Sequence, residues 1–179
     1  MRLDAMKYGY LLLAAYPCAV LSGCKSSDPI RPQRTIEEAR PLASVVRMDD
    51  VAAGAQLLSG FGAIEANSWR WTGPQFAVAL GVPPGAKQNG GALALEFTLP
   101  DVSINALKQL TISGMAGDVS LAPETYSTVG AHTYSRDIPA SAFKSEPLQV
   151  RFNVDKFLKP EGDYRHLSLV VTSIELKSK

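Results

Sequence analysis

Cysteine and histidine are scarce in this chain, with two of each among 179 residues. So few cysteines exclude the disulfide-dense scaffold of small secreted modules. A structural zinc site takes four Cys or His ligands, so all four residues would have to converge on one point. His132 and His166 each stand alone, with no second histidine at ligand spacing. No metal site and no cofactor are expected. A calcium site built from carboxylates and carbonyls stays open, although the Asp-x-Asp-x-Asp-Gly loop is missing. An excess of one charge is also missing: 18 basic residues face 17 acidic ones, for a net charge of +1. Such a balance gives no field to gather nucleic acid, and no nucleic-acid partner is expected. The chain has neither a Gly-x-Ser-x-Gly elbow nor a Walker loop. No catalytic residue is assigned.

What is present begins with an address. Arg2 and Lys7 precede an apolar run from Tyr8 to Leu21, which is 14 residues long and contains Pro17. A permanent span needs about 20 apolar residues, so the run is too short to stay in the bilayer. A basic start, a short apolar stretch and small residues before a cut are the parts of a secretory signal. Here the cut would fall at Leu21-Ser22-Gly23-Cys24. This ending resembles the lipobox of bacterial lipoproteins. The resemblance implies residues 1–23 as signal peptide, lipid on Cys24, and membrane attachment through it. Lys25 after the cysteine resembles lipoproteins exported to an outer membrane. The expected location is the bacterial cell envelope, at an outer membrane or periplasmic face. Cleavage would remove Cys18 and leave no free thiol beyond the lipidated one, which suits an oxidising compartment. It would also leave 16 basic and 16 acidic residues.

The polar, proline-punctuated stretch after Cys24 has no periodicity, so residues 24–50 are read as a linker. Val45-Val46 could start a peripheral strand. Residues 51–179 are read as one domain. Leu148, Val150, Phe152 and Val154 alternate with Gln149, Arg151 and Asn153, the pattern of a strand with one buried face. Further apolar runs lie at 76–80, 92–99, 110–113, 133–135 and 167–176. Val82-Pro83-Pro84-Gly85, Asn89-Gly90-Gly91, Ala122-Pro123-Glu124 and Pro160-Glu161-Gly162 read as turns between them. Only 103–107 and 140–144 look like single helical turns. The expected fold is all-β, an antiparallel β-sandwich.

Gly60-Phe61-Gly62, Glu65 and Trp69-Arg70-Trp71-Thr72 resemble the opening of small jelly-roll modules found beside bacterial glycosyltransferases and as free-standing lipoproteins. Asp163-Tyr164-Arg165-His166-Leu167-Ser168-Leu169 is similar to the stretch opening their last strand. Ser168 stands where those modules usually have Gly. Met115-Ala116-Gly117-Asp118 replaces their Val-Asn-Gly turn. The resemblance covers roughly residues 56–176 and implies a jelly-roll related to carbohydrate-binding domains.

Residues of alternate parity on a strand face opposite ways, so Trp69 and Trp71 share one face and Arg70 takes the other. An exposed indole packs against the C–H groups of a sugar ring. Trp69, Arg70 and Arg165 are therefore the candidate ligand contacts. Trp71 is expected to fill the core, while Trp69 stays open between core and ligand. Glu65 and Asp163 are read as a structural polar cluster that brings the early strands against the last one. Any Glu65–Asp163 acid pair would be held ionised by the nearby arginines, which speaks against hydrolysis. His132, Tyr134 and Arg136 are read as one solvated sheet face. The function expected from all this is non-enzymatic: a lipid-anchored envelope protein binding glycan or exopolysaccharide. The alternative is an assembly lipoprotein docking on another envelope protein, such as a glycosyltransferase or a secretion component.

Overall fold

The structure is a computed structural model, and it describes residues 41–179. The signal segment, Cys24 and the stretch to residue 40 lie outside the described residues. The strands are β1 (Val45–Arg47), β2 (Leu57–Glu65), β3 (Trp69–Leu80), β4 (Gly91–Leu99) and β5 (Leu110–Ala116). They continue with β6 (Val119–Tyr126), β7 (Gly130–Ile138), β8 (Leu148–Val154) and β9 (Val170–Ser178). Two short helices, α1 (Ala86–Asn89) and α2 (Asp101–Leu107), cover strand ends. Among the described residues no helix is long and apolar enough to cross a membrane.

The fold is an antiparallel all-β sandwich that comes close to closing as a barrel. The strand order is β6-β5-β8-β3-β9-β4-β7, with β1 on β9 and β2 on β3. The two layers meet at β3. Its first part pairs with β9 at Arg70 and Trp71, and its second part pairs with β8 from Gln75 to Leu80. Gly73-Pro74 sits between these two stretches, where a missing Cβ and a missing N–H let the strand change sheets. Strand β2 follows the bend through three register shifts. Gly60 carries one of them at φ +77°, and a Cβ there would lie 2.7 Å from Phe76 Cα.

The core fills the space between the layers. Strand β4 contributes Leu93, Leu95, Phe97 and Leu99, and β8 contributes Leu148, Val150, Phe152 and Val154. An aromatic row crosses the core: Phe61 to Phe76 at 5.3 Å, Phe76 stacked on Phe152 at 4.8 Å, and Phe152 to Tyr134 at 6.3 Å. Each such pair contributes about 0.5–1.5 kcal/mol beyond the area it buries.

The domain begins earlier than residue 51. Strand β1 pairs with Ser173–Glu175 of β9, and Val46 and Met48 are fully buried. Residues 44–50 therefore belong to the sandwich rather than to a linker. The lead-in is fixed by a buried amide. Gln56 Oε1 accepts from Ala43 N at 3.0 Å, and its Nε2 donates to Ala43 O at 2.9 Å and to Ala79 O at 2.7 Å. Gly81 N also donates to Ala43 O, and a side chain at Gly81 would collide with the Leu42 carbonyl.

The His132–Tyr134–Arg136 stretch is not a solvated face. Tyr134 is fully buried, and its hydroxyl donates to Ala122 O at 2.7 Å. Arg136 lies over the Tyr134 ring at 4.1 Å, donates to the same carbonyl, and pairs with Glu124 at 2.8 Å. Tyr126 OH donates to Thr133 O. These bonds bridge β6 and β7, the two end strands of the sheet, where no backbone ladder joins them. Burial pushes both phenols above their ordinary range.

Candidate binding cleft

The two halves of the motif do meet. A three-residue turn, Ala66–Ser68, joins β2 to β3, with Ala66 and Asn67 both at positive φ. Glu65 at the end of β2 thus comes beside the loop that leads into β9. Arg165 in that loop donates Nη1 to Glu65 Oε1 at 3.2 Å. Its Nη2 lies 2.7 Å from Asp163 Oδ2, and its Nε donates to both Asp163 oxygens. Asp163 Oδ1 also accepts from Arg165 N, which closes the loop locally. The Arg165 hydrogen bonds, side chain first, hold the Asp163 carboxyl below its usual range. The same carboxylate and Glu65 hold the guanidinium above its own. Glu65 and Asp163 both grip this one arginine. That arginine's fork is already occupied by two carboxylates.

Beside this latch lies an open cleft of about 270 Å³. Three glycines, Gly60, Gly62 and Gly73, leave its floor without side chains. Phe61, Trp71, Tyr164, Arg165 and His166 stand around them. Phe61 ties the cleft to the core through Phe76. Trp71 packs edge-on against Trp69, with ring centroids 6.1 Å apart. His166 stacks on Phe157 at 4.3 Å. Tyr164 projects almost wholly into solvent, at 93 % exposure. The loop carrying these rings is pinned at its base by a two-way Leu158–Leu167 backbone bridge. Ser168, at the usual Gly position, is buried; its hydroxyl donates to Lys156 O and its N–H to Thr72 O.

The strand alternation is as the sequence implies, but its direction differs for Trp71. Thr72 is buried and its hydroxyl accepts from Leu169 N. The opposite parity therefore faces outward, and Trp71 is half-buried at the surface rather than part of the core. Trp69 is also half-buried and supports Trp71 from the side without lining the cleft. Arg70 turns away. Its Nη1 donates to Gly62 O at 3.0 Å, and its Nε is buried without a partner among the described residues. Arg70 therefore braces the β2–β3 ribbon and does not line the cleft. Tyr164 and His166 are the cleft residues the sequence reading passed over. Their signal was present: two rings alternate with Asp163 and Arg165 in a loop just after a Pro-Glu-Gly turn.

Chemically, the cleft offers ring faces and edges over a glycine floor, with little exposed charge that is not already paired. Among the described residues no three His, Cys, Asp or Glu side chains converge on a point where a metal could sit. No family model matches the chain, and no curated protein matches it.

Proposed function

We propose that this is a non-enzymatic, lipid-anchored protein of the bacterial cell envelope whose sandwich binds glycan in the Trp71 cleft. The observation that carries the reading is the group of Trp71, Tyr164 and His166 around a floor of glycines. A pyranose ring presents C–H groups on one face and hydroxyls at its edge. It packs on an indole or phenol while the phenolic O–H and imidazole nitrogens meet the hydroxyls. Because Arg165 is occupied by Glu65 and Asp163, the cleft favours a neutral sugar over an acidic one. The trough is open and buries little of a ligand, so each site binds weakly and selects for polymers that engage many copies. The leader ending at Cys24 supports the anchor.

The test is calorimetric titration of the detergent-solubilised full chain with neutral oligosaccharides, wild type against Trp71→Ala. The variant should weaken binding about fivefold or more, since ring stacking of this kind is worth about 1 kcal/mol or more. Circular dichroism confirms that the variant is folded. Binding unchanged by Trp71→Ala, or no binding of neutral saccharides at millimolar concentration, defeats the reading.

The near-complete exposure of Tyr164 favours a second reading, in which the same rings dock on another envelope protein. Under that reading Tyr164→Ala abolishes co-purification of the partner from solubilised membranes, and saccharides do not compete.

A further inference from the structure

A second cleft, of about 400 Å³, lies on the outward face of β3, β5 and β8, with an edge from β2. It shares no lining residue with the Trp71 cleft. The sheet register builds its floor. One rung across three strands is Gln75, Asn153 and Ser113; the next is Ala77, Arg151 and Met115. Adjacent strands lie about 4.8 Å apart, so the first rung is a row of amide, amide and hydroxyl about 10 Å long. Ser59 adds a hydroxyl at the edge, and the small Ala77 leaves the middle open. The volume falls in the range of small-molecule sites.

Among the described residues Arg151 is the only charged one lining this cleft. Its one hydrogen-bonding contact among the described residues is weak, Nη2 to Met115 Sδ at 3.8 Å. The other arginines of the described residues are committed. Arg47, Arg136 and Arg165 each hold a carboxylate, and Arg70 holds a carbonyl. Arg151 forms no ion pair among the described residues. A guanidinium is a planar fork matched to a carboxylate, and here it stands over a floor of amides and hydroxyls with no acid to satisfy it. Amides and hydroxyls both donate and accept, which is what the vicinal hydroxyls of a sugar require.

We propose that this cleft binds an acidic saccharide, with Arg151 taking the carboxylate of a uronate and Gln75, Asn153 and Ser113 taking its hydroxyls. The site is independent of the Trp71 cleft and stands or falls separately from it.

The test uses the solubilised full chain and three probes: trigalacturonate, its methyl ester and inorganic phosphate. Trigalacturonate should bind, the methyl ester about tenfold or more weakly, and added salt should weaken the acid form. Arg151→Gln should lose the preference for acid over ester, and Arg151→Lys should keep part of it. Arg151 is exposed, and circular dichroism should report an unchanged fold for both variants. Trp71→Ala should leave trigalacturonate binding intact. Equal binding of acid and ester, unchanged binding by Arg151→Gln, or no binding of trigalacturonate would overturn the proposal. Phosphate binding as tightly as trigalacturonate would reduce the site to a simple anion site and overturn the saccharide assignment.

Discussion

Replacing Gln56 by alanine removes three hydrogen bonds from a side chain that is 5 % exposed. The damage is smaller than three bonds suggests. Ala43 O keeps a donor in Gly81 N at 2.9 Å. Ala43 N loses its acceptor, and Ala79 O loses the Gln56 donor. A buried acceptor left without its partner, as at Ala79 O, costs about 1–3 kcal/mol, whereas Ala43 is exposed and its N–H can turn to water at a cost of about 1 kcal/mol. Together, less the side-chain entropy regained, they give a loss of about 2 kcal/mol. Urea unfolding of wild type and variant checks this. With a slope of about 2 kcal/mol/M, the midpoint should fall by about 1 M at constant slope. Gln56→Glu sharpens the test. It keeps an acceptor for Ala43 N but turns an anion toward the Ala43 and Ala79 carbonyls, so at neutral pH it should be no more stable than the alanine variant. A loss below about 1 kcal/mol for Gln56→Ala, or a wild-type midpoint for Gln56→Glu, would show that the lead-in is held by something other than this amide.

The Asp163 carboxyl, held down by Arg165, should titrate below the ordinary aspartate value of 3.8. A carboxyl with a lowered folded-state pKa stabilises above its unfolded value and loses that contribution as pH falls through the folded one. The latch should therefore stay closed at neutral pH and open only in acid, and carbon-detected NMR should show Arg165→Ala returning the Asp163 midpoint toward 3.8. Labelling with a radioactive fatty acid should mark the wild-type chain, and Cys24→Ser should abolish both the label and sedimentation with membranes. A Cys24→Ser chain that still carries label would refute the lipid anchor.

The parts of the fold legible in the sequence are those where one physical signal acts alone. Strand β8 runs Leu148–Val154 with strictly alternating burial, as its apolar pattern requires. The helical turns at α2 and at Ala140–Ala142 were marked by short segments set off by prolines. Strand β6 was hidden because Ala122-Pro123-Glu124 looks like a turn. It is the end strand of the sheet, with a backbone ladder to β5 alone, and there a proline's missing N–H is tolerated. Strand β2 was hidden because its register shifts break the alternation that periodicity depends on. At the site, the motif resemblance brought Glu65 to Arg165 across 100 positions. Alternation grouped Trp69 with Trp71 but could not say which side faced the core. That was decided by Thr72, whose hydroxyl bonds Leu169 inside.

Strand β3 gives the molecule two unlike poles. Gly73 borders the aromatic trough, while Gly81, just past the strand's far end, receives the lead-in at Ala43. At about 3.3 Å per residue, the eight steps between them span up to roughly 26 Å. Gln56 and Gly81 grip the lead-in at Ala43, and β1, which follows it, runs along β9 toward Val170, the partner of Trp71. On β3 the trough and the entry of the chain at residue 42 therefore occupy opposite ends, and a change at one can leave the hydrogen bonds of the other in place.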